Sequence, residues 1–207
     1  MDQSGRSVLG EKQRFFDHHA ESWDREHSAG EERRKVEALV RDMRLIPGWS
    51  VLEPGCGSGH VSMALSGTLG TEGRVTAFDI SDGMLRQARA KALRQTVFLR
   101  ADASRLPFAP AGFDAVVLFR VFPHLNDKPA CLAEFHRALR PSGLLALAHT
   151  AGRERLNRYH ASLGGEVSLD MIPEEPELRT ILDDAGFSVL SVEDTEDRYL
   201  VLTRRKS

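Results

Sequence analysis

The stretch "VLEPGCGSGH", Val51 to His60, decides how the rest of the chain is read. Apolar residues pass through an acid and a proline into Gly55, Gly57 and Gly59. Glycine adopts positive φ without a Cβ penalty and lets another group press against the main chain, so this run predicts a sharp turn leaving a strand. The helix that follows would present free amides at its first turn, where a polar ligand can bind. Asp79 ends the apolar run "RVTAFDI" about 20 residues beyond the last glycine. An acid at that strand tip can accept both hydroxyls of a ribose.

Outward from this turn, short apolar runs alternate with helical patterns. "SVLEP", "RVTAFDI", "TVFLRAD", "FDAVVLF" and "LLALAH" read as strands, the fourth continuously apolar as burial on both faces requires. Between them, Val61, Ala64 and Leu65 share one helical face, and Met84, Leu85, Ala88 and Ala92 another, with Ser81 as N-cap. "KPACLAEFHRALRPSG" is a helix with Pro129 near its start and Pro141 and Gly143 beyond its end. Pro176 opens a later helix whose inner face is Leu178, Ile181, Leu182 and Ala185, with Gly186 as its cap. "FSVLSVE" and "RYLVLTR", joined by "DTED", suit an antiparallel hairpin. The pattern predicts an α/β fold with a doubly wound, largely parallel sheet that binds ligand at its strands' carboxyl ends. Residues 1–48, helical up to Met43, and an insertion at about 150–175 fall outside the alternation, leaving 49–207 as the core.

A chain of 207 residues and 23.0 kDa suits one domain with a sizeable core. Its 28 basic and 30 acidic residues give a net charge of −2, which argues against nucleic acid or acidic lipid as partner. The closing "TRRKS" reads as a solvated tail. Two cysteines, Cys56 and Cys131, lack metal-type spacing and point to a reducing, cytoplasmic setting. The opening residues hold no signal-like apolar run, and no stretch approaches the ~18 apolar residues of a membrane span.

The glycine spacing separates two ligands. Dinucleotide enzymes favour G-x-G-x-x-G with the pyrophosphate on the helix start. Here the run is E-P-G-C-G-S-G, and the Glu53 carboxylate would repel a pyrophosphate but suit an ammonium group. A nicotinamide oxidoreductase is therefore the rival reading, and a nucleoside-binding regulator without chemistry is another. The chain resembles the class I S-adenosylmethionine-dependent methyltransferases over nearly all of Ser50 to Arg204. "VLEPGCGSG" is similar to that family's first motif and "VTAFDIS" with the following "ML" to its second-strand motif. "ADASRLPF", "FDAVVLFRVFPHL" and "LRPSGLLALAH" are similar to its adenine-contacting, fourth-strand and fifth-strand motifs.

The resemblance implies a Rossmann-like sheet of seven strands with the last antiparallel, and S-adenosylmethionine as methyl donor. It implies that Glu53 and the turn of Gly55, Cys56, Gly57, Ser58 and Gly59 cradle the methionine part and ribose. Asp79 would hold the ribose hydroxyls, with Ile80, Ser81 and Met84 beside the adenosine. Asp102 and the Ala103 amide would meet the adenine, and Phe119 and Arg120 would line the methionine side. Cys56 reads as a small turn residue rather than a nucleophile.

Transfer from a sulfonium is an in-line displacement, needing neither metal nor covalent intermediate, so a missing catalytic dyad does not argue against activity. "FRVFPHL" lacks the N/D-P-P-Y/F pattern of amino-methylating nucleic-acid enzymes, and His124 follows Pro123 where base carbon-5 enzymes carry cysteine. A small-molecule acceptor is therefore expected. "RFFDHHAESWD" resembles the lid of small-molecule members. Phe16, His19 and Trp23 either approach the sulfonium, as an aromatic face can, or pack the helix on the sheet together with Phe15. In the insertion, Arg153, Asn157, Tyr159 and His160 are candidate acceptor contacts. His149 is the first candidate base and His124 the second. No metal is expected, since the adjacent His18 and His19 are poorly spaced as ligands.

Overall fold

The computed structural model describes residues 10, 13–14, 16–18, 20 and 30–207. The described residues between 10 and 20 are helical. Helix α1 (Gly30–Asp42) opens with Glu31 and Glu32 against the positive end of its dipole and closes with Arg41. Val36, Leu39 and Val40 form its buried stripe. Strand β1 (Ser50–Pro54) then enters the core, followed by α2 (His60–Leu69), β2 (Arg74–Asp79), α3 (Asp82–Ala90), β3 (Thr96–Arg100) and β4 (Phe113–Phe119). A 3-10 turn (Phe122–His124) leads into α4 (Lys128–Ala138), β5 (Leu139–His149) and α5 (Arg153–Leu163). A second 3-10 turn (Glu166–Leu169) precedes α6 (Glu175–Asp184), β6 (Phe187–Thr195) and β7 (Arg198–Arg205).

The seven strands lie in the order β3-β2-β1-β4-β5-β7-β6. The pairs from β3 to β5 are parallel, and β7 runs antiparallel between β5 and β6. This is the doubly wound, Rossmann-like sheet expected from the sequence. The chain winds outward from β1 to β3 and then returns to β4, so the order reverses between β1 and β4. A crevice opens at such a reversal because neighbouring connections leave toward opposite faces.

Alternation along the central strands divides the core. Leu52, Val116, Leu118, Leu145 and Leu147 face α4 and α6 through Leu132, Phe135, Leu178 and Leu182. Val51, Ala115, Val117, Ala146 and Ala148 face the other way, onto Leu39 of α1, Leu65 and Leu69 of α2, and Leu85 of α3. All seven residues of β4 are buried, matching its uninterrupted apolar run. Strand β5 begins earlier than "LLALAH" suggests, because Leu139 already pairs with Phe113 across a register shift.

The insertion after β5 folds as α5 and the second 3-10 turn. At its entrance the Gly152 N–H donates to the Glu196 carbonyl at 3.1 Å. A Cβ at Gly152 would stand 1.9 Å from the Thr195 carbonyl oxygen, so the start of α5 rests directly on the β6–β7 turn. Among the described residues, no helix is long and apolar enough to cross a membrane.

Candidate active site

The turn after β1 is built as its glycines require. Gly55, Gly57 and Gly59 have φ of 64°, 51° and 86°, values that L side chains rarely adopt. The Gly57 N–H donates to Asp79 Oδ2 at 2.8 Å, and the Ser81 N–H donates to Asp79 Oδ1 at 2.9 Å. Asp79 is thereby fixed across the turn, with each oxygen keeping acceptor capacity. Glu53 is also buried, and Ser62 Oγ donates to its Oε2 at 2.5 Å.

These residues border a cavity of about 940 Å3 at the strands' carboxyl ends. On the side of β1, β2 and β3 its wall includes Glu53, Gly55, Cys56, Gly57, Ser58, Asp79, Ile80, Met84, Asp102 and Ala103. On the side of β4, β5 and α5 it includes Phe16, Phe119, Arg120, His124, His149, Tyr159 and His160. Most of the side chains singled out in the sequence therefore border one space.

The first side is acidic. Burial pushes the Glu53 carboxyl up to about 8; the Ser62 hydroxyl opposes this and the Asp79 charge adds to it. Burial also raises Asp79, against the backbone donors of Ser81 and Gly57. Among the described residues neither carboxyl has an ion-pair partner. Ser58 Oγ, buried there, has no hydrogen-bond partner among the described residues. Burial lifts the Cys56 thiol well above its usual range, so it stays protonated and unreactive. Asp102 Oδ1 accepts from the Ser104 N–H and hydroxyl, each at 2.9 Å.

The second side is rich in imidazoles. His124 Nδ1 meets Asp170 Oδ2 at 2.7 Å, and a carboxylate has no proton to give, so the pair favours Nδ1–H. His160 Nδ1 meets the Asp170 carbonyl oxygen. His149 is 2% exposed, and burial together with the positive potential of His124, Arg120 and His160 drives its pKa well below the usual range. Arg120 Nη2 donates to Glu32 Oε1 and Thr150 Oγ1, while the Thr150 hydroxyl donates to the same Glu32 oxygen at 2.7 Å. This clasp joins α1 to the tips of β4 and β5. Burial brings the Arg120 guanidinium down to about 10.

Several of the singled-out residues are engaged elsewhere. Ser81 does not border the cavity: its Oγ accepts from the Met84 N–H at 3.0 Å as the α3 cap and donates to Asp17 Oδ1 at 2.6 Å. Gly59 lies against α3, where a Cβ would meet Ala88 Cβ at 3.2 Å, so it serves helix packing. Arg153 points to Glu174 and Asp194, at 2.9 and 3.5 Å. Asn157 exchanges two 2.9 Å hydrogen bonds with the Ile172 backbone and holds the segment after α5. Phe15, His19 and Trp23 lie outside the described residues. Sequence reading missed Glu32, Thr150 and Asp170, each far along the chain from its partner. It also missed Asp17, which accepts from the Gly83 N–H at 2.9 Å and seats the N-terminal helical segment on α3. Asp17 lies within the quoted "RFFDHHAESWD", but an acid there carries no signal of its own.

Known proteins agree with this architecture. The family described as "Methyltransferase domain" matches residues 52–147, from β1 into β5. The malonyl-[acyl-carrier protein] O-methyltransferase of Methylovorus sp. (strain MP688) is 31% identical over 199 residues, covering 90% of this chain and 67% of that protein. The O-methyltransferase resE of Aspergillus sclerotiorum is 29% identical over 161 residues, covering 72% of this chain but only 59% of that protein. The crystal structure of a SAM-dependent methyltransferase from Aquifex aeolicus superposes with a TM-score of 0.69 at 25% identity, covering 82% of this chain and 88% of that one. The chain belongs to the class I S-adenosylmethionine-dependent methyltransferases. The cavity suits that donor: two buried carboxyls repel each other with no cation among the described residues to relieve them, and the donor is cationic at sulfur and nitrogen.

Proposed function

We propose that the protein transfers a methyl group from S-adenosylmethionine to a small-molecule acceptor held within this cavity. One observation carries the reading: a single cavity of about 940 Å3 runs from the carboxyls of β1 and β2 to an imidazole-rich wall covered by α5. Spaces of ~300–1,000 Å3 are the size of small-ligand sites. The balanced charge of 28 basic and 30 acidic residues supports the same reading, since nucleic-acid partners call for a basic face.

When bound, S-adenosylmethionine supplies a methyl group already activated on a sulfonium. In this reading Asp79 holds the ribose hydroxyls, while Ile80 and Met84 pack beside the adenosine. Asp102 accepts from the adenine amino group and the Ala103 amide donates to a ring nitrogen. Glu53 balances the ammonium group, and Ser58 joins the turn around the methionine part. The described residues of 1–48 form the lid, clasped to the sheet through Glu32, Arg120 and Thr150. The side of β4, β5 and α5 receives the acceptor, and the alignment it imposes contributes up to ~7–11 kcal/mol in favourable cases. Where the acceptor begins protonated, His124 takes the proton with its ring oriented by Asp170, an effect typically worth ~10²–10⁴-fold.

The test has two arms. Purified protein is titrated with S-adenosylhomocysteine and with NAD, then incubated with methyl-labelled donor and a cell extract. Binding of S-adenosylhomocysteine alone, and a new labelled product of low mass, are expected. Preference for NAD, or label recovered only in protein or RNA, overturns the reading.

A further inference from the structure

The imidazoles on the second side of the cavity are not equally engaged. Asp170 holds His124 by its carboxylate and His160 by its carbonyl oxygen. His149 differs: Nδ1 and Nε2 are both buried without a hydrogen-bond partner among the described residues. Its neighbour Tyr199 stands with ring centroids 6.1 Å apart, an edge contact that satisfies neither nitrogen. An unpaired buried polar atom costs about 1–3 kcal/mol, so two on one ring at a cavity wall call for a partner. Solvent cannot supply a full shell, because the residue is 2% exposed.

The partner's chemistry follows from the surroundings. Arg120 is paired with Glu32, and Asp170 takes the Nδ1–H of His124, so the charged groups on this side already have partners. An ammonium group entering here would meet Arg120, and a carboxylate would meet Glu32 and Asp170. Burial keeps the His149 imidazole neutral, with one donor and one acceptor nitrogen. A hydroxyl matches that pair because it too both donates and accepts, whereas a carboxylate only accepts and an ammonium only donates. Leu125, Leu156, Leu163 and Val167 supply apolar wall for the remainder of the molecule.

We propose that His149 is the recognition group for an uncharged hydroxyl, and that the acceptor is an apolar small molecule bearing one. His149 is then a specificity-determining residue rather than the proton-taking base its sequence position suggests. The inference rests on the methyltransferase reading.

The experiment saturates the protein with S-adenosylhomocysteine and titrates phenol, anisole, benzoate and benzylamine by calorimetry. Phenol is expected to bind most tightly. His149→Phe, which keeps the ring shape and removes both nitrogens, is expected to weaken phenol about tenfold, the worth of one hydrogen bond near 1.4 kcal/mol. The same variant should keep its S-adenosylhomocysteine affinity and unfold at a higher temperature, because two unpaired atoms are gone. His149→Gln retains a donor and an acceptor and should recover most of the phenol affinity. Equal phenol affinity in wild type and His149→Phe overturns the inference. So does tighter binding of benzoate or benzylamine, or no phenol binding by protein that does bind S-adenosylhomocysteine. Failure of S-adenosylhomocysteine to bind the wild type instead overturns the methyltransferase reading beneath it.

Discussion

Glu53 is held in a state that does not favour it. Its carboxyl titrates at about 8 because burial opposes the charge and Asp79 is close by. A ligand ammonium favours the ionised form, so binding releases a proton below that pH. Affinity for S-adenosylhomocysteine should therefore rise with pH, by up to about tenfold per unit, and level off near pH 8. Titrations between pH 6 and 9 check this, and Glu53→Gln should flatten the dependence while lowering affinity. Asp79→Ala should weaken S-adenosylhomocysteine binding about 100-fold or more, since in the proposed reading it removes the acceptor for two hydroxyls along with two turn-stabilising bonds. Circular dichroism should show the fold retained, and unchanged affinity would remove Asp79 from the ribose.

At the scale of elements, the N-terminal helical segment is seated on α3 through Asp17. A Cβ at Gly83 would lie 3.0 Å from Asp17 Oδ1 and 3.2 Å from Ala20 Cβ. Gly83→Val should force the segment away and speed proteolytic cleavage within residues 10–20 about tenfold, an opening cost of ~1.4 kcal/mol. Unaltered cleavage would show that the contact is not holding it. The strands were legible because each apolar run and each breaker is local, and so was the β1–β2 half of the site, whose turn and acid sit at the ends of adjacent strands. The other half depends on how α5 is rotated. Leu156, Tyr159, His160 and Leu163 recur at helical spacing and face the cavity, while Asn157 falls beside that stripe and bonds backbone instead. Reading "RERLNRYHASL" as a helix would have separated them. The His124–Asp170 and Arg120–Glu32 pairings join distant parts of the chain, and neither residue's neighbours in sequence announce the contact.

For the whole molecule, Glu53 and His149 shape stability against pH in opposite directions. Glu53 has a raised folded pKa, so between its ordinary value of 4.5 and about 8 the native state holds the extra proton and stability falls as pH rises. His149 has a depressed folded pKa, so below its ordinary value of 6.5 the unfolded state binds more protons and stability falls as pH drops. Between 4.5 and 6.5 the two slopes oppose each other. Above that window the ligand-free protein should lose up to about 1.4 kcal/mol per pH unit until pH 8. Thermal unfolding scans check this: Glu53→Gln should lessen the decline, with the raised Asp79 carboxyl keeping a slope of the same sign, and S-adenosylhomocysteine should stabilise more at pH 8 than at pH 6. The start of α5 bears on the β6–β7 turn at Gly152, where no side chain fits. In the proposed reading, the last hairpin is thus a buttress under the ceiling of the acceptor chamber. Lengthening or reshaping it would retune which molecules the enzyme tolerates while leaving its grip on the methyl donor untouched.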